Sequence, residues 1–213
     1  MKKKGRPRNY DSKLAISNIT SLFWRKGFTT TSLDDLVTET SMNKPSLYAA
    51  FGNKLAIYKK AMDNFGSIAT TCTENALKKQ HENDTITDRI TRYLVYSIDL
   101  YTGKDGQLGC MVLSTAVAEI ASPEIQQYLA MVIKIQINQI KKVLDEAKNH
   151  GEFLPDTDID IISQLIIAIL HSISLRARAG EKAESLIPLV HSAKIILKPI
   201  TILKNVTINK IEK

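Results

Sequence analysis

The stretch from Gly27 to Gly52 constrains the fold most, because it holds too many helix-ending signals for a long helix. Glycine readily adopts the left-handed conformation that ends many helices, so both glycines predict a helix end. Between them, residues 41–43 predict a tight break. Pro45 predicts a beginning, because proline is tolerated in the first helical turn, where an N–H has no intrahelical partner. The stretch therefore predicts two short helices, the second over residues 44–51.

The rest of the chain carries longer amphipathic patterns. Apolar residues between positions 15 and 23 recur at three- and four-residue spacing, which predicts a helix from Asp11 or Ser12 to Lys26. The same reasoning predicts further helices over residues 54–77, 86–101, 111–120, 123–150, 158–179 and 183–197. The tail 199–213 fits a strand, a helix or disorder. Because glycine (9) and proline (6) are sparse, the sequence predicts an all-α fold.

The positive charge is concentrated at the front of the chain. Residues 1–65 hold 12 lysines and arginines against 5 acidic residues, whereas the remaining residues hold 17 of each, so the net charge of +7 belongs to the first third. A basic module followed by a neutral one indicates that the front binds a polyanion. A solvated, charged terminus explains the same distribution, so charge alone leaves both interpretations open.

Short helices joined by a tight turn inside a basic module are the layout of a helix-turn-helix, whose second helix enters the DNA major groove. On the second short helix, Leu47 and Phe51 lie four residues apart and share the buried side. Lys44, Ser46 and Tyr48 are then left on the outside. Their ammonium and hydroxyl groups suit phosphate oxygens and base edges. The pattern therefore predicts a helix that reads DNA.

A resemblance to a known family emerges from residues 27–58, "GFTTTSLDDLVTETSMNKPSLYAAFGNKLAIY". This segment resembles the DNA-binding domain of the TetR (tetracycline repressor) family of transcriptional regulators. The resemblance covers residues 10–65 and rests on Gly27-Phe28, Thr31-Ser32, Leu47-Tyr48, Phe51 and Lys54. It implies an all-α chain with a flexible basic arm (1–9), a three-helix helix-turn-helix DNA-binding domain (10–54), a larger helical-bundle ligand-binding and dimerisation domain (55–198) and a tail (199–213). The implied function is a homodimeric repressor that a small molecule releases from a palindromic operator.

The resemblance also implies roles for individual residues. Thr31 and Ser32, at the head of the second helix, and Tyr48, on the third, are implied to contact phosphates. Lys54, at the head of the fourth helix, is implied to grip the DNA backbone. The residues implied to approach the bases are Asn43, Lys44, Pro45 and Ser46.

Two positions depart from the family pattern. Ser41 stands in the turn where the family often has glycine, which predicts a slightly strained turn. Ala49 stands where the family often has histidine, so a possible polar contact is missing. The operator sequence of a relative therefore cannot be transferred to this chain.

The first residues, "MKKKGRPR", form a basic arm that contains Arg6 and Arg8. An extended segment with arginines suits the narrow minor groove of A·T-rich DNA. A disordered basic tail that only raises nonspecific affinity is an equally good interpretation. Under both interpretations Arg6 and Arg8 are candidate DNA contacts.

The helices after residue 66 have balanced charge, which indicates a bundle whose core can hold a small molecule. The segment 158–179 is apolar on nearly all sides, so it needs more than one packing neighbour. Together with 183–197 it resembles the family's dimer interface, a four-helix bundle across the twofold axis. The alternative is a central core helix in a monomer.

Scattered polar residues on these apolar segments are the candidates for orienting a ligand. They are Tyr93, Tyr96, Asp99, Cys110, Glu119, Gln136, Gln164, His171 and Arg176. A single polar side chain of this kind is more often a structural group whose hydrogen bonds are made within the protein. His171 lacks companion ligands for a metal in the sequence around it. Cys110, at a predicted helix start, is either a reactive thiol or, as for most free cysteines, a packing residue.

The sequence does not favour an enzyme, an exported protein or a membrane protein. It has no nucleophile elbow, HExxH or phosphate-binding glycine loop, and we expect no metal and no cofactor. We expect no secretory signal, because the start lacks an apolar segment, and the longest apolar run, Leu165 to Leu170, is too short for a bilayer. Two cysteines without a disulfide framework fit the cytoplasm. The alternative to a repressor is a nonspecific or architectural DNA-binding protein without a ligand.

Overall fold

The structure is a computed structural model that describes residues 11–103, 109–118 and 122–201. Over these residues the chain is α-helical, as the sequence predicts, with an isolated antiparallel bridge between Phe153 and Thr201. The helices are α1 (Ser12–Lys26), α2 (Leu33–Thr40), α3 (Lys44–Phe51), α4 (Lys54–Leu77), α5 (Ile86–Thr102), α6 (Met111–Ala118), α7 (Pro123–Asn149), α8 (Ile159–Arg178) and α9 (Ala183–Leu197).

Local capping groups explain where several of these helices begin and end. The Asp11 carboxylate accepts hydrogen bonds from two backbone amides at the start of α1, and Gly27, with a φ of 81°, ends that helix. Thr85 and Asp88 form a capping box at the start of α5. Asp158 caps α8 with its side chain. These limits agree with the predicted ones because caps act within a few residues of the sequence.

The described residues divide into two compact units. The first unit comprises residues 11–71, 110–118 and 122–129, and the second comprises 72–103, 109 and 130–201. Helices α4 and α7 therefore each contribute residues to both units. The domain limits predicted at residues 9, 54 and 198 stay predictions.

An aromatic cluster forms the centre of the first unit. The Tyr58 ring of α4 lies 5.0 Å, centroid to centroid, from the rings of both Phe23 in α1 and Phe28 in the following loop. Trp24 packs edge-on against Phe65 with the ring centroids 4.8 Å apart. Phe23, Tyr58 and Phe65 are almost completely buried. Burial of these large rings fixes α4 on α1.

Polar contacts add to this packing. The Asn64 side-chain amide donates to Thr20 Oγ1 at 3.0 Å and so joins α4 to α1. The Tyr128 hydroxyl donates to the Asp63 carboxylate and joins the start of α7 to α4. Partial burial, and after it this hydrogen bond, raise the pKa of Tyr128, so the phenol stays protonated. Helix α4 is thus held by α1 and by α7 within the first unit.

Helices α5, α8 and α9 form the core of the second unit. Buried side chains on these helices include Ile90, Leu94 and Ile98 of α5, Ile166, Leu170 and Ile173 of α8, and Leu186 and Val190 of α9. The prediction that segment 158–179 needs more than one packing neighbour is confirmed, because α8 packs against both α5 and α9.

Two arginines of α5 cap the end of α4. Arg89 Nε donates to the Leu77 carbonyl at 2.6 Å, while Arg92 Nε donates to the Ala76 carbonyl at 2.9 Å and Arg92 Nη2 to the Lys78 carbonyl at 2.8 Å. The last carbonyls of a helix have no intrahelical partner, and positive donors also suit the negative helix end. The C-terminal turn of α4 is therefore tied to α5.

Helix α8 is long and apolar enough to cross a membrane by length and composition. This is weak evidence, because a core helix has the same properties, and residues such as Ile162 and Ile166 are buried inside the second unit. The opposite side of α8 is apolar as well. It carries Ile161, Leu165 and Leu175, which are 57%, 41% and 63% exposed in the single chain.

Candidate DNA-binding site

The turn between α2 and α3 fixes where α3 begins. Ser41 ends α2 in the left-handed conformation, with φ 54° and ψ 25°. Met42 is buried, and the Asn43 side chain caps α3 by accepting the Ser46 amide hydrogen bond at 2.9 Å. Pro45 lies in the first turn of α3, as the sequence predicts. The positive φ of Ser41 supports the prediction that serine at this position strains the turn.

Helix α3 turns one side toward the protein and the other toward solvent. Leu47 is completely buried and Phe51 nearly so. Lys44, Ser46 and Tyr48 are exposed, Tyr48 by 44%, and the division predicted from their spacing is confirmed. Asn43, Pro45 and Ala49 are exposed too. The outer face of α3 thus presents one ammonium and two hydroxyl groups on a helix whose inner face is fixed in a core.

An exposed ion pair connects α3 to α2. The Lys44 Nζ atom lies 2.7 Å from Asp34 Oδ1, and the two side chains are 52% and 80% exposed. The hydrogen bond to Asp34, together with its charge, raises the pKa of Lys44. In the sequence Asp34 is visible only as an acidic residue near a helix start. Sequence reasoning missed its pairing with Lys44 because the contact depends on how α2 and α3 cross.

The start of α2 is closed by a capping box. The Ser32 hydroxyl accepts the Asp35 amide hydrogen bond at 3.0 Å, and the Asp35 carboxylate accepts the Ser32 amide at 2.9 Å. Asp35 also pairs with Lys26, at 2.7 Å between carboxylate oxygen and Nζ. The Lys26 hydrogen bond first, and those from Ser32 next, lower the pKa of Asp35 to about 2. Ser32 is exposed, but its hydroxyl is engaged with Asp35.

Two other residues that the resemblance assigns to phosphates make contacts inside the protein. Thr31 is completely buried, and its hydroxyl donates to the Gly27 carbonyl at 2.6 Å, which satisfies a carbonyl at the end of α1. Lys54 Nζ lies 4.6 Å from the centroid of the Phe28 ring and 3.5 Å from the Thr29 carbonyl oxygen. The Thr31 side chain therefore points inward, whereas Lys54 is half-buried beside the loop that precedes α2.

The ligand candidates differ in burial. Tyr93 and Cys110 are buried, Gln136, His171 and Arg176 are half-buried, and Tyr96, Asp99 and Gln164 are exposed. Glu119, like Arg6 and Arg8 of the arm, lies outside the described residues. The structure thus separates the exposed candidates from the buried ones that can line an interior site.

Two of these candidates carry a buried polar atom that lacks a hydrogen-bond partner within the described part of the chain. They are Gln136, through Oε1, and His171, through Nε2. Burial lowers the pKa of His171, which favours the neutral imidazole. Because buried polar atoms are nearly always paired, these two atoms have bonding capacity left for a ligand, and their role in binding one stays a prediction. Arg176, in contrast, is bound by Glu181 through two hydrogen bonds of 2.7 and 2.6 Å.

The described ranges contain no group of three or more His, Cys, Asp and Glu residues that could hold a metal ion. Cys110 is buried directly before α6, and Cys72 is half-buried. Burial of Cys110 suits the packing interpretation of this thiol. A sensing role for it stays a prediction.

Two family profiles match the chain. The profile described as "Bacterial regulatory proteins, tetR family" matches residues 16–61, which contain α2 and α3. The profile described as "Tetracyclin repressor-like, C-terminal domain" matches residues 87–187, which contain most of α5 and all of α8. Both the helix-turn-helix and the helical remainder are therefore recognised independently.

Individual proteins give the same picture. The HTH-type transcriptional repressor ComR of Escherichia coli (strain K12) is 26% identical over 186 residues, which is 87% of this chain and 88% of ComR. A cysteine mutant of the TetR family transcriptional regulator CifR, complexed with 26-base-pair double-strand operator DNA, superposes with a TM-score of 0.80 at 22% identity, covering 88% of this chain and 97% of that one. A TetR transcriptional regulator from Chloroflexus aurantiacus J-10-FL has a TM-score of 0.78 at 21% identity, covering 90% and 96%. These structures share the fold.

Replacing Ser41 by glycine is expected to stabilise the protein. A side chain in the left-handed conformation costs about 1–2 kcal/mol, while glycine loses about 0.5–1 kcal/mol more chain entropy on folding. The net expectation is a gain of about 0.5–1 kcal/mol in the free energy of unfolding. Urea titration followed by circular dichroism measures it.

The matched control is Ala49→Gly, an exposed position inside α3 with helical backbone. At that position glycine replaces alanine, a good helix former, and the free energy of unfolding is expected to fall by about 1 kcal/mol. A loss of stability in Ser41→Gly similar to that in Ala49→Gly would show that the turn stores no strain.

Proposed function

Because the chain belongs to the tetR family of bacterial regulatory proteins, we propose that it is a ligand-responsive transcriptional repressor that binds a palindromic operator as a homodimer. The observation that carries the proposal is the outer face of α3, where Lys44, Ser46 and Tyr48 are exposed on a helix anchored by Leu47 and Phe51. The relative ComR is named a transcriptional repressor, which supports repression as the direction of regulation. A cytoplasmic location follows from this role.

In the proposed complex, α3 lies in the major groove. Its first turn, from Asn43 to Ser46, approaches the base edges, and the free amides and positive end of the helix favour the nearby phosphates. The exposed Tyr48 hydroxyl and the Lys54 ammonium bond to phosphate oxygens. These contacts combine a sequence-reading element with sequence-independent anchors.

Four residues contribute less directly in this proposal. The hydroxyls of Thr31 and Ser32 are engaged in intramolecular hydrogen bonds. Ser32 therefore acts by capping the positive start of α2, and Thr31 by fixing the loop that precedes it, rather than by donating to phosphate. Arg6 and Arg8 add electrostatic attraction through the arm.

The proposed dimer interface is the apolar outer side of α8 together with α9. Ile161, Leu165 and Leu175 project within one side of α8, and Ile195 of α9 is 72% exposed. Large exposed apolar side chains that cluster in this way mark an interaction surface. A homodimer formed in this way carries two α3 helices, and an operator for it is expected to have two half-sites about one DNA turn apart, ~34–36 Å.

Helix α4 is the proposed connection between ligand and DNA. Its residues 54–71 belong to the first unit and residues 72–77 to the second, and its final carbonyls are bound by Arg89 and Arg92 of α5. An effector that binds more tightly when α5 is displaced would shift α4 and so misplace α3, because differential affinity is what shifts such an equilibrium. Gln136 and His171 are the proposed polar contacts of that effector.

Selection of binding sites from random duplex DNA tests the repressor proposal. The full-length protein is expected to enrich an inverted repeat whose half-sites are about one helical turn apart. A thermal-shift screen of small molecules then identifies compounds that raise the melting temperature, since a ligand of the folded state stabilises it. At least one such compound is expected to release the enriched duplex. Binding without any enriched motif would instead favour a nonspecific or architectural DNA-binding protein.

Removing the Tyr48 hydroxyl distinguishes phosphate contacts from contacts that recognise bases. Tyr48→Phe is expected to lose about 1.5 kcal/mol, or roughly tenfold in affinity, because a hydrogen bond to a charged phosphate is lost. The loss should be the same for every duplex, since phosphates carry no sequence information. Ser46→Ala, in contrast, is expected to change the preference among duplexes.

Fluorescence anisotropy with the selected duplex and with single-base variants measures both effects. Tyr96→Phe removes the hydroxyl of a similarly exposed tyrosine on α5, 48% exposed, and should leave DNA affinity unchanged. Equal affinities of Tyr48→Phe and the unaltered protein would exclude a phosphate contact of this hydroxyl.

Breaking the apolar side of α8 tests the dimer. The intact protein is expected to scatter light as a particle of twice the 23.8 kDa chain mass. Leu175→Glu places a charge in the interface and is expected to weaken dimerisation ~10-fold or more. Leu14→Glu, at a leucine of α1 that is 60% exposed, is the control that should stay dimeric. If light scattering gives the mass of a single chain for the unaltered protein at all concentrations, the proposed homodimer is wrong.

A further inference from the structure

The acidic residues of α2 differ in what they bind. Asp35 closes the capping box and pairs with Lys26 of α1. Glu39 pairs with Arg25 of α1 at 3.4 Å. Asp34, which is 80% exposed, instead binds Lys44 in the first turn of α3 at 2.7 Å. Asp34 therefore places a carboxylate beside the residues proposed to approach the bases.

Stability explains this carboxylate only in part. Asp34 lies in the first turn of α2, where a negative charge makes a small favourable contribution at the positive helix end, and this contribution does not require Lys44. An ion pair between exposed side chains contributes little to the free energy of unfolding, because water and salt screen it. On a face that binds DNA, a negative charge is unfavourable, since phosphates repel it. A residue that costs binding energy and adds little stability is explained if it improves discrimination between correct and incorrect partners.

The geometry indicates how discrimination arises. An ammonium group has three donors, of which Asp34 takes one, so Lys44 keeps donors for guanine O6 and N7 in the major groove. The carboxylate also holds the flexible lysine side chain near the first turn of α3 and competes with phosphate oxygens for it. Nonspecific binding, which depends on phosphates, is weakened more than binding to a site that offers the right base edge.

We infer that Asp34 is a specificity-determining residue, which acts by holding the Lys44 ammonium for a base edge and away from the phosphate backbone. The inference rests on the proposed DNA-binding function. It assigns Asp34 the role of positioning Lys44, and it assigns Lys44 a base contact in preference to a phosphate contact.

The test uses full-length protein, the duplex enriched by selection, and a shuffled duplex of the same length and composition. Asp34→Asn keeps the shape of the side chain and removes its charge. Affinity for the shuffled duplex is expected to rise roughly 5- to 10-fold, because Lys44 gains a charged phosphate contact. Affinity for the enriched duplex should change less, so the ratio of the two affinities falls. The slope of log affinity against log salt should steepen by about 1, the value for one additional phosphate contact.

A double-substitution cycle distinguishes positioning from simple charge repulsion. In a Lys44→Gln background, Asp34→Asn should change the ratio of affinities and the salt slope less than it does in the protein that keeps Lys44. The reason is that the lysine positioned by Asp34 is then absent. Glu39→Gln removes a charge from the same helix but breaks a pair with α1 instead, and it should leave the ratio unchanged. Thermal melts of each variant check that the fold is intact, and Asp34→Ser serves as a second neutral substitution.

The possible outcomes distinguish a failure of the proposed DNA-binding function from a failure of the inference about Asp34. If the unaltered protein binds neither duplex, the DNA-binding function itself is wrong and the inference fails with it. If the unaltered protein discriminates between the duplexes and Asp34→Asn leaves both the ratio and the salt slope unchanged, the function stands and the inference is overturned. The inference is also overturned if Asp34→Asn has the same effect with glutamine at position 44, since the carboxylate would then act without Lys44.

Discussion

The packing of Tyr58 between Phe23 and Phe28 is the interaction on which the rest of the first unit depends. Its ring lies 5.0 Å from both phenylalanine rings and is almost completely buried. The contact joins α4 to the end of α1 and to the loop from which α2 starts. Burial of aromatic rings in offset and edge-on arrangements gives both energy and a defined geometry. The loop before α2 and the first turns of α4, between which α3 lies in the chain, are therefore both held by an apolar cluster, although the residues that α3 exposes are polar.

This arrangement separates two tasks that act on the same short helix. Leu47 and Phe51 supply the buried contacts that hold α3, and the polar groups opposite them do not need to stabilise the protein. Neighbouring polar groups on α2 are already engaged in capping and ion pairs. The exposed donors of α3 are thus the groups that a partner can bind at low cost, because Ser46 and Tyr48 are exposed to solvent within the part of the chain that the structure describes. Lys44 is the exception, since it already pairs with Asp34. A partner that binds Lys44 must either leave this ion pair in place or replace it.

Helix α4 shows why a long helix suits a regulatory protein. Near its start it is packed in the aromatic cluster, along its length it is bound by Thr20 and by Tyr128, and at its end its carbonyls are bound by Arg89 and Arg92. The helix runs without interruption from Lys54 to Leu77 between these contacts. Transfer of a displacement from one end of α4 to the other is what the proposed response to an effector needs.

Much of the secondary structure follows from the sequence because helix limits are local. Asp11, Gly27, Pro45 and Gly52 act on backbone groups within a few residues, so the limits of α1 and α3 agree with their predicted positions. The two faces of α3 follow from spacing for the same reason. The family resemblance also indicates strain at Ser41, since a serine stands where the family often has glycine, and the structure gives this residue a positive φ.

Contacts between elements were decided by the tertiary structure. The inward direction of the Thr31 hydroxyl depends on the carbonyl that α1 leaves free at Gly27, and the Asp34–Lys44 pair depends on the crossing of α2 and α3. Capping of α4 by arginines of α5 likewise requires the two helices to meet. A sequence specifies which groups a helix exposes, because that depends on a repeat of 3.6 residues. Which of those groups meet across a turn depends on packing angles, and these are fixed only when the whole core forms.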